Sequence, residues 1–109
     1  MSKRPIELLL NDMLDAIGKI EQYVDGLTFE TFSSDQKTID AVARNLEIIG
    51  EAANRLPEDF KAKYSSIEWY KVVGLRHRII HEYFGIDLQI IWQIVHTDLP
   101  ILRDILPKI

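Results

Sequence analysis

DQKTIDAVARNLEIIGEAANRLP, residues 35–57, is the stretch whose reading decides the fold. Within it Ile39, Val42, Leu46, Ile49, Ala53 and Leu56 recur at steps of three and four, the spacing that lines one face of an α-helix. The pattern predicts a long helix that starts near Asp35 and stops before Pro57. One apolar stripe on so long a helix has to be covered by other elements.

Upstream, Pro5 suits a first helical turn, and Ile6, Leu9, Leu10, Met13, Ile17, Ile20 and Val24 continue at helical spacing until Gly26. Thr28 to Ser34 holds Phe29 and Phe32 among small polar residues and reads as a short helical turn or ordered loop. Downstream, residues 57–64 look like another short helical piece. Ser65 with Glu68 three residues later is read as a capping box that opens a third long helix. That helix carries Trp69, Tyr70, Val73, Arg76, His77, Ile80, His81 and Tyr83 and is expected to end at Gly85.

Asp87 is taken as the cap of the last helix, in which Leu88, Ile90, Ile91, Trp92, Ile94, Val95, Leu99, Ile101, Leu102, Ile105 and Leu106 cover more than one face. Pro100 should kink or split it. A small bundle buries one stripe of each helix, so the surplus apolar surface calls for a second copy of the chain. With no repeat, linker or hairpin chemistry in evidence, the expectation is an all-α protein. Its 109 residues form a single domain, an antiparallel bundle of four to five helices that pairs as a homodimer.

Composition narrows the function. Hydrophobic residues make up 47% and charged residues 28% of the chain, which places it among folded globular proteins. Without cysteine it has neither a disulfide framework nor a thiolate metal site. The N-terminal residues are not read as a signal peptide. The most apolar stretch, 86–106, is interrupted by polar residues well short of the roughly 20 apolar residues a bilayer crossing needs. A cytoplasmic protein without a membrane segment is expected. The net charge of −4 argues against a general nucleic-acid coat, so any contact with RNA must be local, and DNA is not expected as a partner.

The dense chemistry lies in Arg76-His77-Arg78-Ile79-Ile80-His81-Glu82-Tyr83. Residues seven apart on a helix share a face, so Arg76 and Tyr83 line up, while Arg76 and His81 differ by about 140° around the axis. His81 sits at the edge of that face, and the long guanidinium stem of Arg76 can still reach the same small ligand. The trio suits internal transfer at an RNA phosphodiester. A histidine, with an ordinary pKa of about 6.5, takes the ribose 2′-OH proton. A guanidinium then steadies the charge that builds on the phosphoryl oxygens. This chemistry requires no metal and no cofactor.

The stretch Arg76-x4-His81-x-Tyr83, preceded by Gly74-Leu75 and followed by Phe84-Gly85-Ile86-Asp87, resembles the Arg-x4-His-x-Tyr motif of HepT-like proteins in the HEPN superfamily. Arg44 to Ala53 resembles the second-helix segment of the same family, and the region from Trp92 to Pro100 also fits. The resemblance implies a metal-independent ribonuclease, the toxin of a toxin–antitoxin pair, acting on RNA such as tRNA or mRNA as a homodimer whose two motifs face a shared cleft. It also implies a nucleotidyltransferase antitoxin of the MntA type, which silences the toxin by attaching AMP to the motif tyrosine, Tyr83 here. Arg76 and His81 are then the catalytic pair and Tyr83 the phosphate contact and AMP acceptor. One position departs from the family pattern: His77 stands where an Asn is frequent.

Other readings stand beside this one. His77 and His81 have the four-residue spacing of a helical zinc site, but the further ligands are not evident, and no metal is assigned. Glu51 is a candidate for orienting Arg76 across the bundle; with Glu47 it equally fits a solvated face. Arg44, Arg55 and Arg78 read as surface charge, and Phe29, Phe32, Trp69 and Trp92 as core or interface residues. The functional alternative is a non-catalytic dimer that binds a nucleotide or a partner in the same pocket.

Overall fold

The computed structural model describes residues 4–82 and 88–107, apart from the side chains of residues 76–82. Among these residues the regular elements are all helical. They are α1 (Ile6–Val24), α2 (Phe29–Ser33), α3 (Gln36–Arg55), α4 (Glu58–Lys63), α5 (Trp69–Glu82), α6 (Leu88–Gln93), a π-helical turn (Ile94–Asp98) and α7 (Leu99–Ile105).

α3 is the centre of the bundle, packed against α1 on one side and α5 on another. Asp35 starts it: the carboxylate accepts the backbone N–H of Thr38 at 3.1 Å and its hydroxyl at 2.7 Å. These bonds, the hydroxyl's first, hold the Asp35 carboxyl below its ordinary value. The helix ends as expected, with Leu56 in extended backbone ahead of Pro57. Its predicted stripe is the buried one: Val42, Leu46, Ile49 and Ala53 are sealed from solvent, as are Met13, Ile17 and Ile20 of α1. Each fully buried Leu or Ile contributes roughly 1.5–3 kcal/mol, which is why the stripes dictate the packing. Leu9 and Asp12, early in α1, share a groove with Ile48, Glu51 and Ala52, late in α3, so the two helices run antiparallel.

The link between them is folded. Gly26 takes a φ of 76°, the left-handed turn that ends α1. Thr28 then caps α2, exchanging hydrogen bonds with Thr31 in a reciprocal box. Phe32 is fully buried, and its ring lies 5.1 Å from that of Trp92, with Phe29 at 6.1 Å from the same indole. Phe32 is core, while Phe29 and Trp92 are half-buried around it, within the expected reading of these aromatics as core or interface residues.

Two expectations need correction. Ser65 and Glu68 do not form the capping box. The chain turns through residues 64–67, where the Ile67 N–H donates to the Tyr64 carbonyl, and α5 begins only at Trp69. Glu68 immediately precedes the helix, and its carbonyl accepts from Lys71 and Val72. Near Pro100 the helix widens instead of breaking. Leu99 donates its N–H to Ile94, five residues back, so the chain enters α7 with Pro100 in the first turn, where a missing N–H costs least. The expected helix end at Gly85 and cap at Asp87 lie outside the described residues.

The last helical stretch buries Ile91, Ile94, Val95, Leu99, Leu102 and Leu106 and leaves Ile101 and Ile105 exposed. Glu21 of α1 pairs with Arg103, fastening α7 to the bundle. No helix among the described residues is long and apolar enough to cross a membrane.

Candidate active site

Everything the sequence marks as catalytic rides on α5, so what fixes this helix fixes the site. Its first residue is the anchor. Trp69 is buried, and its indole N–H donates to the carbonyls of Lys61 and Tyr64, both at 3.2 Å. The helix is thereby tied to the end of α4 before its first turn is complete. Val72 and Leu75 continue the buried side, and α3 packs along it.

The other side of the first turn is polar and wet. Glu68 receives the Tyr70 hydroxyl at 3.1 Å on one carboxylate oxygen and the Lys71 ammonium at 3.3 Å on either oxygen. The Lys71 bond, then that of Tyr70, lowers the Glu68 carboxyl from its ordinary value, and the same pairing raises Lys71.

This division sets the register of the motif. Arg76 follows Trp69 by seven residues and Val72 by four, and so continues the stripe of α5 whose earlier members are buried. His77 and His81 follow Tyr70 by seven and eleven residues and continue the stripe that begins with an exposed side chain. The helix therefore carries Arg76 and His81 on different stripes, about 140° apart around the axis, as their five-residue spacing requires. The side chains of Arg76, His77 and His81 lie outside the described residues, as does Tyr83 altogether, and with them the possible His77–His81 metal pair.

Glu51 is described. It is exposed on α3 and lines an open groove of about 380 Å³ with Leu9, Asp12, Arg44, Glu47 and Arg55. Asp12 is paired with Arg4 at 2.7 Å, and Glu47 with Arg44 at 3.7 Å. The groove thus carries both signs of charge, with acids and guanidinia interleaved.

One polar residue of the second motif block escaped the sequence reading. Asn45 is only 6% exposed on the buried side of α3. Its Nδ2 donates to the Ala41 carbonyl at 2.9 Å, while its Oδ1 is buried without a hydrogen-bond partner among the described residues. An asparagine one residue before Leu46 breaks the apolar face, and that interruption was the available signal.

An arginine and a histidine are groups that acid–base chemistry at a phosphodiester can use, and comparison with known proteins gives the family and the enzyme class. Residues 13–109 match the family described as Ribonuclease HepT-like. A protein named Probable ribonuclease HepT from Thermococcus cleftensis is 42% identical over 101 residues, covering 93% of this chain and 92% of that one. A provisionally named RNase of Methanocaldococcus jannaschii is 43% identical over 100 residues, 92% of this chain and 83% of its own. Another from Caldanaerobacter subterraneus is 42% identical over 80 residues, 73% and 71% of the two chains. No solved structure matches the chain. The chain belongs to the HepT-like ribonuclease family, which makes ribonuclease its enzyme class.

Proposed function

We propose that this chain is a metal-independent endoribonuclease of the cytoplasm, the toxin of a toxin–antitoxin pair, working as a homodimer on RNA. The observation that carries the proposal is the motif Arg76-x4-His81-x-Tyr83, set on and just beyond α5 in a chain that matches the ribonuclease family from residue 13 onward. His81 takes the proton of a ribose 2′-OH, and the 2′-oxygen bonds to the adjacent phosphorus. The bond from phosphorus to the 5′-oxygen then breaks, and that oxygen leaves with a proton supplied by His77 or by His81 of the partner subunit. The products are a 2′,3′-cyclic phosphate and a 5′-hydroxyl. Arg76 stabilises the charge on the phosphoryl oxygens through paired N–H bonds, with Glu51 orienting it.

Tyr83 contacts the phosphate and is the site at which a nucleotidyltransferase antitoxin attaches AMP, blocking the cleft with added bulk and negative charge. The test is cleavage of tRNA or total RNA in the presence of EDTA. Arg76→Ala and His81→Ala should each lose at least a hundredfold in rate, the scale of removing a general base or an oxyanion donor, with an unchanged helical circular-dichroism spectrum. Full activity in either folded variant refutes the assignment.

A further inference from the structure

Tyr70 is the most exposed of the large apolar or aromatic side chains described, at 71%, yet it is held in place. Its backbone follows the buried anchor Trp69, and its hydroxyl donates to Glu68, which Lys71 steadies in turn. Tyr64, by contrast, is 36% exposed and rests on Phe60 with ring centroids 4.9 Å apart. An aromatic ring open to water, its hydroxyl engaged by Glu68, is suited to meet another flat ring, because the hydrogen bond favours one placement of the side chain.

Its register is the second observation. Along α5, His77 and His81 lie seven and eleven residues after Tyr70, within about 20° of the same line, and about 10 and 16 Å further up the axis. Arg76 lies on the other stripe. Lys71 pairs with the Glu68 carboxylate beside Tyr70, with Asp98 lining the same groove.

We propose that Tyr70 is a substrate-positioning residue, the platform on which a base of single-stranded RNA stacks while a phosphate further along the strand reaches His81. The proposal rests on the ribonuclease reading and names the form of RNA it takes: an unpaired stretch, because only an unpaired base offers its face. A double helix would hide its bases from this ring. Tyr70 takes no part in bond making, so its removal weakens binding and leaves the chemical step alone.

The experiment measures cleavage kinetics of a short unstructured RNA, and the anisotropy of the same RNA carrying a 2′-deoxy sugar at the cut, with wild type, Tyr70→Ala, Tyr70→Phe and Tyr70→Trp. Tyr70→Ala should raise KM and the anisotropy Kd roughly tenfold, the size of one lost base stack, with kcat unchanged. Tyr70→Trp and Tyr70→Phe should each recover most of the loss, since each keeps a flat face, with Phe falling slightly short because it lacks the bond to Glu68. Wild-type KM and Kd in Tyr70→Ala overturn the proposal, as does a loss that neither aromatic variant repairs. If wild type binds the RNA but never cleaves it, the nuclease reading fails while the anisotropy series still decides on Tyr70. If it does neither, both fall together.

Discussion

Replacing Asn45 by leucine should make the protein more stable. Asn45 lies on the buried side of α3 with one good hydrogen bond, Nδ2 to the Ala41 carbonyl at 2.9 Å, and one buried oxygen with no partner among the described residues. Leucine has nearly the same shape with methyl groups in place of the amide. The lost side-chain bond costs about 0.5–1.5 kcal/mol. The Ala41 carbonyl is not orphaned, because in the ladder of α3 it faces the backbone N–H of Asn45 itself. Against this, removing the unpaired acceptor recovers about 1–3 kcal/mol, and leucine's better helix propensity adds a few tenths. Burial of two methyl groups pushes in the same direction. The net expectation is a gain of about 1–2 kcal/mol, seen in urea as a midpoint raised by about 0.5–1 M with the slope unchanged. A lowered midpoint would refute the reasoning, because it would mean that Oδ1 is satisfied by a donor, such as a trapped water or a second chain, that leucine cannot keep.

Two further outcomes follow from the packing. Phe32→Ala should cost about 3–5 kcal/mol, the range for a fully buried phenylalanine, and shift the fluorescence of Trp92, whose ring lies 5.1 Å away; a loss under 1 kcal/mol in urea unfolding would contradict the burial. Asp35→Ala should lower the unfolding midpoint at neutral pH, and the gap to wild type should close in acid. The Asp35 carboxyl is depressed in the folded state, so its contribution is complete above the unfolded value of about 3.9 and disappears as pH falls through the folded one. A gap that stays constant from pH 7 down to pH 2 would count against a charge-dependent cap.

The helices were legible where caps and stripes agree. Residues 35–57 carry a capping acid, an apolar stripe interrupted at its side by Asn45, and a terminal proline, and α3 occupies nearly that range. The start of α5 was misread for a physical reason. Ser65 and Glu68 have the spacing of a capping box, but a local pattern does not register that Ile67 is buried or that the Trp69 indole is bound to two carbonyls of the preceding segment. That tertiary tie moves the helix start to Trp69. The π-helical turn was equally hidden. Pro100 announces trouble in the ladder, but whether a helix bends, breaks or widens depends on which register keeps Ile94, Val95, Leu99 and Leu102 buried together, and widening does so.

At the site, the five-residue spacing already fixed how far Arg76 and His81 diverge around the axis. What spacing alone left open was which stripe faces the bundle. In the first turn of α5, Trp69 and Val72 are buried and Tyr70 is exposed; the lines through these residues, continued along the axis, run to Arg76 on one side and to His77 and His81 on the other. This orientation has a consequence for any strand that approaches α5. A polymer lying along the outer line meets Tyr70 at one end and the histidine register about 16 Å away at the other, so anchoring and chemistry fall on different nucleotides. The two functions are then separable by mutation, which is why a change at Tyr70 should move KM while a change at His81 moves kcat.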